Sequence, residues 1–262
     1  MIRSLYTAAT GMKANQTFVD TIAHNLSNVN TYGYKKQQVE FEDLMYQSLQ
    51  RPGGEQEDGN RAPVGIEIGL GSRVVATNRA FLQGNMEQTG NDTDVAIEGT
   101  GFFQVRLPDG EIGYTRNGAF KKNDEGYLTT SQGYFLDPPI NVPDDATYLT
   151  ISVAGEVACN RPGQTSTEVL GQIELARFIN PAGLTAEGGS IFRQSDASGA
   201  PIVGIPGEEN FGNLRNQFLE SSNVQMVEEM VNMIVAQRAY EISSKAITTS
   251  DEMLQTANSL KR

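Results

Sequence analysis

Among 262 residues there is one cysteine, one histidine and no tryptophan. A single Cys159 excludes an internal disulfide and leaves no redox pair. A single His24 leaves a Ser-His-Asp triad or a histidine-based metal centre without identifiable partners. The lack of Trp removes the broad aromatic platform on which sugars stack, which counts against glycan cleavage. Positive charge is scarce too: 20 Lys and Arg against 32 Asp and Glu leave a net charge of -12, so no basic face is on offer for nucleic acid or an anionic membrane. No window of about 18 apolar residues could span a bilayer, and Met1 to Met12 lacks the apolar core of a secretory signal. By these rules alone the chain is expected to stay in the cytoplasm.

What the chain does have is two long helical patterns, one at each end. Toward the C-terminus, Phe218 to Arg262 contains no Gly or Pro, and about 40 helical residues would make a rod about 60 Å long. Its apolar or small residues are Val224, Val227, Val231 and Ile234, then, after a one-residue stagger, Val235, Ala239, Ile242, Ala246, Thr249, Met253, Thr256 and Leu260. That three-four spacing predicts a narrow seam, with Glu228, Glu229, Gln237, Glu241 and Lys245 on the opposite face and Ser221, Ser222 and Asn223 as N-caps. Near the N-terminus, Leu5, Ala8, Met12, Asn15, Val19, Ile22, Leu26 and Val29 repeat the pattern, which stops where Asn28, Asn30, Thr31 and Gly33 crowd together. Isolated helices are marginal in water, and one pair of such seams leaves most of its length exposed. Many copies side by side would cover it, so self-assembly is the first expectation.

Between the helices the period changes to two. Val64, Ile66, Ile68 and Leu70 alternate like a strand after a polar passage, Gln47 to Pro63, that reads as a linker or as the tip of a long hairpin. From Val74 to about Gly204, short apolar runs such as Val95 to Ile97, Phe103 to Val105 and Tyr134 to Leu136 are separated by turn signals including Pro108-Asp109-Gly110 and Asn117-Gly118. This spacing predicts an antiparallel sandwich or barrel, with Cys159 in a turn beside Arg161 and Pro162. Candidate chemistry is sparse. Gly99-Thr100-Gly101 precedes a strand rather than the helix a phosphate cradle needs. Asp92, Asp94 and Glu98 lack the calcium-loop register, because Ile97 stands where Gly is required. No catalytic, metal or cofactor site is expected.

Ile22 through Lys35, with Asn25, Asn28, Asn30, Thr31, Gly33 and Tyr34, resembles the N-terminal signature of the bacterial flagellar rod and hook family. Asn223 to Val231 and Ile234 to Glu241 are similar to that family's closing helix, and Asp94 to Phe103 and Tyr114 to Phe120 to its outer domain. Tyr46 to Arg73 looks like an extra stretch of the distal-rod members, a hairpin that the resemblance implies stiffens a straight tube through Arg51, Pro52, Gly53, Ile66, Ile68 and Leu70. The acidic run Glu55 to Asp58 departs from that pattern, as does His24, commonly Asn in the family.

The resemblance implies an α+β chain: long N- and C-terminal α-helices forming a coiled-coil-like core module, an inserted antiparallel all-β domain and a long β-hairpin extension. The expected division is 1–35 with 214–262 as the assembly module, 36–94 with 201–213 as a connector carrying the hairpin near 46–72, and 95–200 as the outer β domain. The assembly interface expected on the seams is Leu5, Met12, Val19, Ile22, Leu26, Val29, Val224, Val227, Val231, Ile234, Ile242, Met253 and Leu260. The implied function is a non-enzymatic distal-rod subunit, assembled helically into a rigid tube that transmits torque and encloses an export channel. Implied partners are further copies, other rod subunits and hook protein, P- and L-ring proteins as a bushing, and the flagellar export apparatus, without nucleic acid or membrane insertion. The implied location is the basal body from periplasm to outer membrane, reached without a cleaved signal peptide, which replaces the cytoplasmic expectation. Alternatives are a hook or proximal-rod subunit, or a dimeric β-domain binding module or glycan-active enzyme.

Overall fold

The computed structural model describes residues 2–50, 64–161, 167–208 and 210–260. Helix α1 (Ile2–Ser27) and helix α2 (Met226–Ser259) bracket a region of antiparallel strands, the α+β architecture expected. The chain divides into two compact units, one of Met1–Ser27, Gln37–Asn78 and Gln225–Arg262, the other of Asn28–Lys36 and Arg79–Val224. The segment just after α1 therefore packs with the sheets, whereas the sequence reading grouped it with the helices.

In the helical unit, α1 and α2 lie along each other, antiparallel because Ser4 meets Ser250 while Asn25 meets Glu229. Gln37–Asp43 pairs with Ser72–Arg79, and Phe41 places its ring edge-on to Phe18 of α1 with centroids 5.7 Å apart. Tyr46–Gln50 pairs antiparallel with Ile66–Gly69, with a bulge between Ser48 and Gln50. Arg51, Pro52 and Gly53 lie outside the described residues.

The other unit is built on a nine-stranded sheet whose central strand, Phe102–Arg106, is flanked by Ile112–Thr115 on one edge and by Phe135–Asp137 and Leu175–Arg177 on the other. That strand is buried on both faces, so its alternating side chains feed two cores. Phe103 and Val105 are fully buried, and Phe103 joins Ile97, Phe120, Leu136 and Ile173 in the larger one. Phe102 joins Tyr114, Phe178 and Phe192 in an aromatic one packed edge-to-face. Cys159 is not in a turn: it sits in strand Glu156–Asn160 and is buried in the larger core, where its thiol packs as a small apolar group.

The second helix is shorter than its pattern. Phe218–Glu220 forms a strand with Met86–Gln88, so α2 starts at Met226 and its 34 residues span about 51 Å. Ser221, Ser222 and Asn223 do not cap it; Gln225 holds that position without a side-chain bond. Asn223 is engaged elsewhere. Its Oδ1 accepts from Lys36 N at 2.7 Å, and its Nδ2 donates to Ala80 O at 2.8 Å.

Candidate assembly surface

The helix pair uses a different face of α2 from the one its apolar stripe suggests. Buried on α2 are Glu229, Ala236 and Ser250, with Asn232, Met233, Ser243, Ile247 and Leu254 half-buried, a three-four ladder made largely of small or polar residues. Glu229, placed by the sequence on the hydrated face, is 1% exposed. The reason is Asn25, whose Nδ2 lies 3.3 Å from Glu229 Oε2. The aliphatic stripe instead faces outward: Val227, Val231, Ile234 and Ile242 are 71, 54, 58 and 68% exposed. Met253 and Leu260 are exposed as well. On α1, Ile22 is buried and Leu5, Met12, Val19 and Leu26 are half-buried. Val29 and Val224 fall outside both helices, in the sheet unit. A groove of about 330 Å³ lined by Gln16, Val19, Gln237, Tyr240 and Glu241 opens on the helical unit.

The strands Tyr46–Gln50 and Ile66–Gly69 are also uncovered among the described residues. Tyr46, Leu49, Ile66 and Ile68 are all exposed, so apolar side chains face water from both strands, a poor arrangement for two strands alone.

Signature residues after α1 have structural tasks that the geometry makes explicit. Asn25 imitates a strand neighbour, donating from Nδ2 to Gln37 O at 2.8 Å and accepting from Gln37 N at 2.9 Å. Thr31 closes a turn on Asn28 through its backbone and its hydroxyl; Asn30 is exposed and Tyr34 buried. Gly33 has φ +68°, and a Cβ there would stand 2.6 Å from Asn117 N, so only glycine fits. Its N–H donates to Glu220 O at 2.8 Å.

Two residues on, Lys35 enters a buried charge cluster. Its Nζ donates to Glu220 Oε1 at 2.6 Å and to Leu82 O at 2.7 Å. Glu220 Oε1 also accepts from Gly84 N, and Oε2 accepts from Arg116 Nε at 3.0 Å. Arg116 also donates from its two terminal nitrogens, to Gly101 O and to Gly99 O. All three side chains are at most 4% exposed. Burial lowers the pKa of the Lys35 ammonium and of the Arg116 guanidinium, and Glu220 opposes both shifts. The cluster ties the segment following α1 to the segment preceding α2. Sequence reasoning did not single it out, although Lys35 and Arg116 lie inside the quoted motifs; a charge embedded in a β-rich run, as at Arg116 and Glu220, is the available signal.

The acidic group is occupied by protein partners: Asp92 accepts from Gln217, Asp94 from Asn91, and Glu98 pairs with Arg215. Among the described residues no cluster of His, Cys, Asp or Glu could hold a metal ion. His24 is exposed on α1.

Comparison with known proteins finds matches at both helical ends and in the sheet region. Residues 5–35 match a family described as flagella basal body rod protein, 96–159 the D1 domain of flagellar hook protein FlgE/F/G, and 215–260 the C-terminal part of flagellar basal body rod FlgEFG protein. The chain is 53% identical over 264 residues to flagellar basal-body rod protein FlgG of Borreliella burgdorferi, covering 100% of both chains. The protein of that name from Caulobacter vibrioides is 43% identical over 99% of this chain and 100% of its own. Its counterpart from Bacillus subtilis is 38% identical over 100% of both. These relatives belong to a structural, non-enzymatic family. On full-length identity at this level, with matching models at both helical ends and in the sheet region, the chain belongs to the flagellar basal-body rod protein family.

Proposed function

We propose that the chain is a structural subunit of the flagellar distal rod, self-assembling helically through its terminal helices into a straight tube that carries torque from motor to hook and encloses the export channel. The observation that carries this reading is the outward aliphatic face of α2, with Val227, Val231, Ile234 and Ile242 all more than half exposed. Burying the exposed part of these four side chains, about 2.5 full side chains' worth, contributes roughly 4–8 kcal/mol, against an association cost of about 4–15 kcal/mol. One neighbour is therefore barely held. A lattice that gives every subunit several neighbours is held firmly, so assembly should be cooperative and steep in concentration.

Leu5, Met12, Val19 and Leu26 of α1 are the complementary surface, with the groove at Val19 and Tyr240 as a seat for a neighbour's side chain. The paired strands Tyr46–Gln50 and Ile66–Gly69 supply the lateral wedge that stiffens the tube. In this reading the partners are other rod subunits and hook protein, with P- and L-ring proteins turning against the outside. In the same reading the export apparatus delivers the chain to its place between periplasm and outer membrane.

The test is the double substitution Val231→Asp and Ile242→Asp, followed by sedimentation and circular dichroism. Loss of polymer with native secondary structure is expected. Undiminished polymerisation overturns the reading.

A further inference from the structure

The inner seam of the helix pair repeats every seven residues on both helices, in opposite directions. Ser4 Oγ lies 3.3 Å from Ser250 Oγ; a Cβ on Gly11 would lie 3.5 Å from Ser243 Oγ; Asn25 Nδ2 lies 3.3 Å from Glu229 Oε2. The same register sets Phe18 opposite the buried Ala236. The layers are thus Ser with Ser, Gly with Ser, Phe with Ala, and Asn with Glu, with a hydrogen-bonding pair at each end. An apolar seam could slide by one heptad, about 10.5 Å, and repack with little loss. This one cannot. A slip one way sets Glu229 against Phe18 and Asn25 past the start of α2; a slip the other way sets Asn25 against Ala236 and carries Glu229 beyond the end of α1. Either way a carboxylate that the native seam hydrogen-bonds loses its Asn25 partner, the kind of penalty by which one polar residue fixes a coiled-coil register.

We propose that the Asn25–Glu229 pair, with Ser4–Ser250 at the far end, is a register key. It sets how far α1 and α2 overlap, so that the aliphatic face of α2 is presented to the next copy at one fixed height. The presentation clause rests on the assembly reading; the register claim stands on the single chain. It also explains why polar pairs sit among the apolar side chains of the helix pair, beside Ile22, Met233 and Ile247, while Val227, Val231, Ile234 and Ile242 remain outside. The inner seam selects one alignment, and the outer face supplies attraction.

The test reads register in dilute monomer by disulfide trapping. Gly11→Cys with Ser243→Cys reports the native layer, and Gly11→Cys with Ala236→Cys or with Ser250→Cys reports the two slipped ones; Cys159 is buried. In the native background the 11–243 pair should cross-link at least about tenfold better than either slipped pair. Glu229→Leu should bring that preference below about threefold, while Glu229→Gln, which keeps a hydrogen bond to Asn25, should leave it unchanged. Should Glu229→Leu lose its helices, Asn25→Asp, of the same size, sets carboxylate against carboxylate and should broaden the pattern in the same way. An undiminished native preference in the folded variant, or equal scrambling by Glu229→Gln, overturns the key. Because polymer is not involved, failure here leaves the assembly reading standing, and failure of assembly leaves the register claim standing.

Discussion

Replacing Glu220 by glutamine removes the one carboxylate between two buried cations. The carboxamide keeps the shape and can still accept from Gly84 N and Lys35 Nζ, but its NH2 then faces Arg116 Nε, donor against donor, and two positive charges remain without a counter-charge. Breaking a buried pair by removing one partner costs about 3–5 kcal/mol; the surviving bond to Gly84 puts this variant near the lower end. With a urea dependence of about 2 kcal/mol/M for a unit of this size, the midpoint should fall by about 1.5 M. Tyrosine fluorescence reports it, since Tyr34 and Tyr114 are buried in the same unit. The comparison is Glu98→Gln, which breaks an ion pair whose side chains are 48 and 45% exposed and should shift the midpoint by less than about 0.5 M. The pH dependence has a definite sign. Burial holds the folded pKa of Lys35 below its unfolded value, and Glu220 is what opposes that shift. Without Glu220 it falls further. Stability then rises with pH between the folded and unfolded values, so the variant should regain part of its loss on the alkaline side. Equal shifts for Glu220→Gln and Glu98→Gln, or no alkaline recovery, would refute the reasoning that the buried cluster holds the two chain segments together.

Gly33→Ala should destabilise the sheet unit by about 2–4 kcal/mol, from left-handed backbone strain plus the clash with Asn117; thermal melting measures it, and a loss below about 0.5 kcal/mol would contradict the assignment. Asp109 should titrate below the ordinary carboxylate range because Arg193 hydrogen-bonds it. The stability it lends is present above the unfolded pKa and lost as pH falls through the folded one; Arg193→Leu should return its NMR titration toward the ordinary value, and an unmoved midpoint would rule out this cause. Deleting residues 47–63 should leave tubes that bend or lose length order in electron micrographs, and unchanged straight tubes would remove the stiffening role.

Both helices were legible because no proline interrupts either pattern and the three-four spacing is long. Their ends were not. Phe218 to Glu220 continues an apolar rhythm, yet a strand partner at Met86 to Gln88 captures it, and Asn223 looks like a cap until Lys36 and Ala80 claim its amide. The apolar stripe is visible in the sequence, but which face of α2 meets α1 depends on Asn25 and Glu229, residues 204 apart that no local pattern connects. The charge cluster was hidden for the same reason, being assembled from Lys35, Arg116 and Glu220 on three separate segments. Antiparallel strands between turn signals were visible, whereas Cys159 was misplaced because Asn160 and the following Arg-Pro resemble a turn more than the edge of the strand that buries it.

Hydrogen exchange along α2, compared between dilute monomer and the concentrated polymer, bears most directly on whether other copies cover the outward aliphatic face. Slower exchange from Val227 to Ile242 in the polymer, with the Phe102–Arg106 strand equally protected in both, is the expected result. Identical exchange along α2 in the two states, or no polymer at any concentration, contradicts it.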